Sequence, residues 1–266
     1  QKYLGKKLSN YHHVKAQELE ATYLKYVLPY YINFVAKEFT TLHGMYGIFL
    51  KGYLTACDHL SSADITEIRC AVSNFRSYLN FTQLKSIQEN ASRTKGDVLL
   101  ISPTGTGKTE AALLWAHNNE NSNGGKRIFY TLPYTASINF MYKRFITLFK
   151  SDELVSILHG KSSYFLYEFF SGDCNFSYLD AVNMAKKYQD LAKKIFKPYK
   201  IITPFQIIKA FFSLKGFEQN ISEMVEGIFI FDEIHAYDPR TTALILEISK
   251  FIKHELHGNL LFMSAT

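Results

Sequence analysis

The stretch DVLLISPTGTGKTEAALLWA, residues 97–116, decides how the rest of the chain is read. It opens as a short apolar run, turns through a loop with two glycines, and continues as an Ala- and Leu-rich helix started by Lys108 and Thr109. A strand ending near Ser102, a tight loop and a helix N-terminus together make a cradle for phosphate groups. Gly105 and Gly107 let backbone N–H groups approach an anion with no Cβ in the way. The helix start adds its dipole and its free N–H donors. Thr104 and Thr106 complete the loop. Lys108 has the reach for the β- and γ-phosphates of a nucleotide, and the Thr109 hydroxyl suits a Mg²⁺ ion. Ser102 stands where the strict G-x-x-x-x-G-K-[ST] pattern has its first glycine.

Downstream, the same alternation repeats. Short apolar runs (RIFYTL, LVSIL, KIIT, GIFIFD and NLLFMSA) are separated by turns and helical stretches. Runs of this length without period-two alternation suit strands buried on both faces of a parallel sheet. The expected fold is therefore α/β, a doubly wound parallel sheet with helices on both faces. Ligands in such folds bind at the carboxyl ends of the strands. The lysine-bearing stretch from Tyr178 to Phe196 is read as a peripheral helical insert. At the end of GIFIF stand Asp232 and Glu233. An aspartate there suits a hydrated Mg²⁺ opposite Thr109, and the adjacent glutamate can orient and deprotonate an attacking water. His235 has two readings, a link from the γ-phosphate site to the end of the last strand or an ordinary loop histidine.

Upstream of residue 80 the character changes. Residues 14–78 show helical spacing rich in aromatics and no strand-like run, with Pro29 kinking or ending one helix. Residues 1–79 are thus expected to form a smaller all-helical segment and residues 80–266 the α/β domain. At 266 residues, 47% hydrophobic and 20% charged, the chain has the composition of a globular protein, which excludes extended disorder. The longest apolar stretch, Met45 to Leu54, is interrupted by Lys51, so no membrane span is expected. The N-terminal residues carry no apolar core of a secretory signal. Cys57, Cys70 and Cys174 form no CxxC pair, which disfavours a disulfide framework or zinc ribbon and makes a reducing cytoplasm the default. A net charge of +6 favours a polyanionic partner.

Taken in order, the motifs resemble those of a superfamily 2 helicase over about residues 80–266. SPTGTGKT looks like motif I, DEIH like a DExH motif II, and Ser264–Ala265–Thr266 like motif III. TLPYTAS, with Pro133 and Thr135, is similar to motif Ia, and ITPFQ, with Thr203, Pro204 and Gln206, to the next strand-contacting motif. The resemblance implies a RecA-like fold, ATP with Mg²⁺, and nucleic-acid contacts from those five residues. It also implies that Gln88 of FTQLKSIQEN reads the adenine edge. DEIHAYD with Asp238, and His159–Gly160–Lys161 of LHGKSS, are similar to the CRISPR-associated type I helicase–nuclease family. GYLTACDHLSSAD resembles the last helix of that family's HD nuclease domain, which implies Asp58 as a ligand for a divalent transition metal, with His12–His13 as the paired histidines. The implied partners are single-stranded DNA and an RNA-guided surveillance complex.

Two departures qualify the resemblance. No adjacent His–Asp dyad occurs upstream, so the HD metal set is incomplete. No second motor domain with its arginine finger follows motif III. The chain is read as a fragment of a longer protein, binding Mg-ATP weakly and hydrolysing it very slowly when isolated. The alternatives are a motor of another superfamily 2 enzyme, such as a restriction translocase or RNA helicase, and a nucleotide-binding docking module without turnover.

Overall fold

The structure, a computed structural model, describes residues 42–265 apart from residues 82, 121–124, 173–176 and 196, together with Lys25. Helix α1 (Leu42–Ser62) leads through an irregular stretch to α2 (Ser86–Arg93). The α/β part then runs β1 (Val98–Ile101), α3 (Lys108–Asn119), β2 (Ile128–Thr131), α4 (Thr135–Phe149), β3 (Val155–Leu158), α5 (Ser162–Ser171) and α6 (Tyr178–Ala192). It continues as β4 (Tyr199–Ile202), α7 (Pro204–Phe211), α8 (Phe217–Met224), β5 (Ile228–Phe231), α9 (Pro239–His254) and β6 (Asn259–Ser264). Among the described residues six strands form one sheet in the order β1-β6-β5-β2-β4-β3, every pair parallel. The chain crosses outward from β1 to β3, then returns through β4 and β5 to β6. This is the α/β fold expected from the alternation of apolar runs.

Alternate side chains of each central strand feed two separate cores, as the pleat requires. Ile128, Tyr130, Ile228 and Ile230 face one core, shared with α3 and α4. Phe129, Phe229 and Phe231 face the other, shared with α1, α7, α8 and α9. On that second face Phe129 and Phe229 stack at 4.6 Å. Burial of these apolar faces, at roughly 25 cal/mol per Å², is the main force holding helices to sheet. On the first face α3 carries Trp115, fully buried, whose indole donates to the Gly96 carbonyl at 2.9 Å.

Two expectations are revised. Strand β1 is not buried on both faces: Leu99 is 65% and Ile101 60% exposed. It pairs only with β6 among the described residues, and no described helix covers that side of it. Helix α6 is not peripheral. Ala181, Ala185, Leu191 and Ala192 are buried, because small residues at i, i+4 spacing let the helix seat closely against its neighbours. Helix α1 is also tightly seated. At Gly52 an added Cβ would stand 2.0 Å from Ser222 Oγ and 2.4 Å from the Glu218 carbonyl of α8, so only glycine permits that approach. Lys51 adds an ion pair to Glu218 at 2.5 Å.

Pro29, His12, His13, Cys174 and Thr266 lie outside the described residues. No described helix is long and apolar enough to cross a membrane.

Candidate active site

The strand order places the ends of β1 and β5 on either side of β6, so the glycine loop and the acidic pair face one another across a single strand. The loop after β1 is shaped by its own hydroxyls. Ser102 Oγ donates to Thr106 Oγ1 at 2.8 Å, and Thr106 Oγ1 donates to the Pro103 carbonyl, also at 2.8 Å. Gly105 (φ +79°) and Gly107 (φ +92°) are left-handed, a conformation glycine adopts without penalty. Between loop and acidic pair lies a cleft of about 630 Å³ lined by Thr104, Gly105, Lys108, Thr109, Asp232 and Glu233, among others.

Lys108 is the decisive group. Its ammonium is buried and has no hydrogen-bond partner among the described residues, and its ion-pair contact is with Glu233 Oε1 at 4.0 Å. A buried ammonium normally satisfies its donors, since leaving them unmade costs on the order of 1–3 kcal/mol or more. An anion with several acceptor oxygens fits this position, as triphosphate does.

Asp232 is 7% exposed at the end of β5. Its Oδ2 accepts from the Tyr130 hydroxyl at 2.7 Å and its Oδ1 from the Glu233 amide at 2.9 Å. Burial pushes its pKa above the usual carboxylate range, while the Tyr130 hydrogen bond and the Lys108 charge oppose that shift. Thr109 Oγ1 accepts from Arg144 Nη1 at 3.2 Å. The remaining lone pairs of Asp232 and Thr109 are hard oxygen donors of the kind a hydrated Mg²⁺ takes.

Glu233 has a left-handed backbone (φ +53°), sparsely populated for a non-glycine residue. Its Oε2 is 3.1 Å from His235 Nε2, and His235 Nδ1 is 3.0 Å from Ser264 Oγ at the end of β6. His235 thus joins the acidic pair to the last strand.

Gln88 lines the same cleft as the phosphate loop. It is 2% exposed, accepts from the Lys85 amide at 3.0 Å and donates to the Gly107 carbonyl at 3.4 Å. It props the phosphate loop from beneath. A Cβ on Gly107 would fall 2.4 Å from its Nε2.

The other site residues lie on the adjoining rim. Pro133 is half-buried and Thr135 exposed after β2; Thr203 caps α7 after β4, with Pro204 buried and Gln206 half-buried behind it. Since β2 and β4 are neighbours, the segments that carry these five residues leave the same edge of the sheet side by side, outside the lining of the nucleotide cleft. His159, after β3, is 3% exposed. Burial lowers its pKa; its Nδ1 accepts from the Lys161 amide at 3.2 Å and its Nε2 meets Asn139 Oδ1 at 2.9 Å. Asp238 caps α9, accepting from the Arg240 and Thr241 amides at 3.0 and 3.1 Å.

Asp58 lies on the exposed side of α1, and among the described residues no three His, Cys, Asp or Glu side chains converge to hold a metal. The described residues therefore supply no HD-type metal set. Five residues that line the cleft were not picked out from the sequence: Phe81, Gln83, Lys85, Glu110 and Arg144. Tyr130, fully buried behind the cleft, supports it through Asp232.

The fold and this cleft define a RecA-like P-loop domain built to hold a nucleotide. The profile of the DEAD/DEAH box helicase family matches residues 82–266, and the chain belongs to that family. It is 30% identical over 171 residues to a CRISPR-associated nuclease/helicase Cas3 of Methanothermobacter thermautotrophicus, a match covering 64% of this chain and 19% of the relative. Among solved structures it is similar to T. fusca Cas3 with AMPPNP, at TM-score 0.60 and 19% identity, covering 78% of this chain and 24% of that one. It is also similar to the DUF1998 helicase MrfA bound to DNA, at TM-score 0.53 and 14% identity, covering 72% of this chain and 25% of that one. The structural likenesses show the fold. The chain spans a quarter or less of the length of these relatives.

Proposed function

We propose that the chain is the ATP-driven motor domain of a protein that moves along single-stranded DNA in CRISPR-associated defence in the cytoplasm. The observation that carries this reading is the buried Lys108 ammonium, lacking a hydrogen-bond acceptor, opposite the Asp232–Glu233 pair. In this reading the backbone N–H groups of residues 104–109 and the Lys108 charge bind the β- and γ-phosphates. Thr109 and Asp232 would hold a hydrated Mg²⁺, which when bound neutralises charge on the phosphoryl oxygens. Glu233 orients a water and takes its proton as the water oxygen bonds to the γ-phosphorus. The bond from that phosphorus to the bridging oxygen breaks, leaving ADP and phosphate. His235 keeps the Glu233 carboxylate aimed into the cleft, and Gln88 keeps the loop in shape.

Pro133, Thr135, Thr203, Pro204 and Gln206 contact the backbone of the strand in this reading, so the motor is indifferent to base sequence. The names of the Cas3 relatives support a CRISPR-associated setting, and the motif resemblance to that family implies single-stranded DNA and an RNA-guided surveillance complex as partners. The test uses the full-length protein. Glu233→Gln retains Mg-ATP binding and lowers phosphate release by about two orders of magnitude or more. Release near the wild-type rate would remove Glu233 from this role. Stimulation of the wild-type protein by RNA or duplex DNA in preference to single-stranded DNA would assign it to a different track.

A further inference from the structure

A second concavity, of about 640 Å³, opens on the far flank of the sheet beside β3, between the end of α6 and helices α7 and α8. Four lysines line it: Lys193 and Lys194 from the turn after α6, Lys209 from α7, and Lys215 from the turn before α8. The acidic side chain in its wall is Asp190, which is engaged with Lys193 at 3.4 Å. Lys194 donates to the carbonyl of His59, which also lines the groove, at 3.3 Å, and gathering like charges on one groove costs free energy that the fold must offset.

The means is visible beneath the groove. Buried Lys200 of β4 donates to the carbonyls of Ala192 at 3.0 Å and Lys194 at 3.1 Å. Gln219 of α8 donates to the carbonyl of Lys193 at 3.3 Å. Three successive carbonyls are thus pinned from below, which fixes the turn that presents Lys193 and Lys194. On the opposite wall Gly216, left-handed at φ +83°, forms the turn that presents Lys215.

We propose that this groove binds the phosphodiester backbone of a single-stranded polynucleotide, extending the track from Gln206, which lines the groove from the first turn of α7. The proposal rests on the reading of the chain as a nucleic-acid motor. Lysines are compact point charges, suited to phosphates and without the planar fork that reads base edges. Phe205, Phe212 and Leu214, 49%, 61% and 53% exposed, stand beside the lysine-bearing segments and offer apolar surface to unstacked bases.

The test is fluorescence anisotropy of the 266-residue chain with labelled dT20 and rU20 over a salt series, alongside binding of a fluorescent ADP analogue. For the double variant Lys209→Ala/Lys215→Ala the expected result is a loss of about tenfold or more in strand affinity. The salt slope should fall by about 1.4, from roughly 0.7 per phosphate contact on a single strand. ADP affinity stays unchanged, and Lys209→Arg/Lys215→Arg retains strand binding. Whichever of the two strands shows the lysine-dependent loss identifies the track as DNA or RNA. Unchanged affinity and slope in the Ala variant would overturn the groove and leave the motor reading standing. A wild-type chain that binds ADP yet neither strand would overturn both the groove and the nucleic-acid part of that reading. Displacement of the strand by poly-glutamate at equal charge would assign the groove to acidic polypeptides instead.

Discussion

Lys108 and Lys200 carry buried ammonium groups in the same sheet domain, and the fold treats them in opposite ways. On the β4 flank, Lys200 spends its donors on two carbonyls and on Glu223 at 2.5 Å. Burial pushes the Lys200 pKa down and the Glu223 pKa up, and each charge holds the other against that tendency. Lys197, two residues before β4, is settled likewise: it donates to the carbonyls of Asp152 and Val155 at 2.6 and 3.1 Å, with its ammonium 4.0 Å from the centre of the Tyr188 ring. In the nucleotide cleft, Lys108 has no such settlement. A lysine that serves the fold is satisfied from within, whereas one that serves a ligand is held ready with its donors unmade.

The contrast predicts different failures. Lys200→Met leaves Glu223 buried and unpaired, which should destabilise the chain by about 3–5 kcal/mol in denaturant unfolding, the usual range for breaking a buried pair. Adding Glu223→Leu should recover most of that loss; a single variant as stable as wild type would break the comparison. Lys108→Met should not lower stability, because an unsatisfied buried charge is replaced by an apolar group of similar length. It should instead weaken nucleotide binding by about 1.5–3 kcal/mol, the range for hydrogen bonds to a charged group. A Lys108 variant that unfolds readily while still binding nucleotide would make that lysine structural.

A third test asks whether burial alone suffices to keep a group uncharged. His117 of α3 stacks on Phe75 at 4.7 Å and meets the Tyr199 hydroxyl at 3.0 Å. Desolvation lowers its pKa from 6.5 to about 4. The unfolded chain therefore takes up a proton near pH 6.5 that the folded chain refuses until about pH 4. Stability contributed by neutral His117 is full above the higher value and declines through that window by about 1.4 kcal/mol per pH unit. His117→Gln cannot titrate and keeps a polar group near Tyr199, so its stability should fall less steeply between those pH values. Identical acid limbs in the two proteins would show that His117 is not the group responsible.

Sequence and structure agree where the signal is local. The glycine loop, the acidic pair and the strand-by-strand alternation each occupy a few consecutive residues, so spacing alone exposes them. Tyr130 and Arg144 were not legible, because each reaches the site from an element whose own pattern is that of a core strand or an amphipathic helix. The four-lysine groove draws on segments up to 22 residues apart, from Lys193 to Lys215, with no shared motif. The burial expected for β1 failed because an apolar run reveals hydrophobicity but not a strand's position in the sheet order. Gln88 shows a related gap: its place before the loop was legible, but whether its amide faces a ligand or the Gly107 carbonyl depends on packing.

Trp115 is the chain's one tryptophan and lies fully buried on the helix that Lys108 begins. Its indole is anchored to the Gly96 carbonyl just ahead of β1. The intrinsic emission of the protein therefore comes from a fluorophore bridging the two elements that flank the phosphate loop. Selective excitation of the indole follows that helix without any attached dye. Its emission, expected toward the blue from a buried site, would record whether the cradle stays closed during unfolding or nucleotide titration.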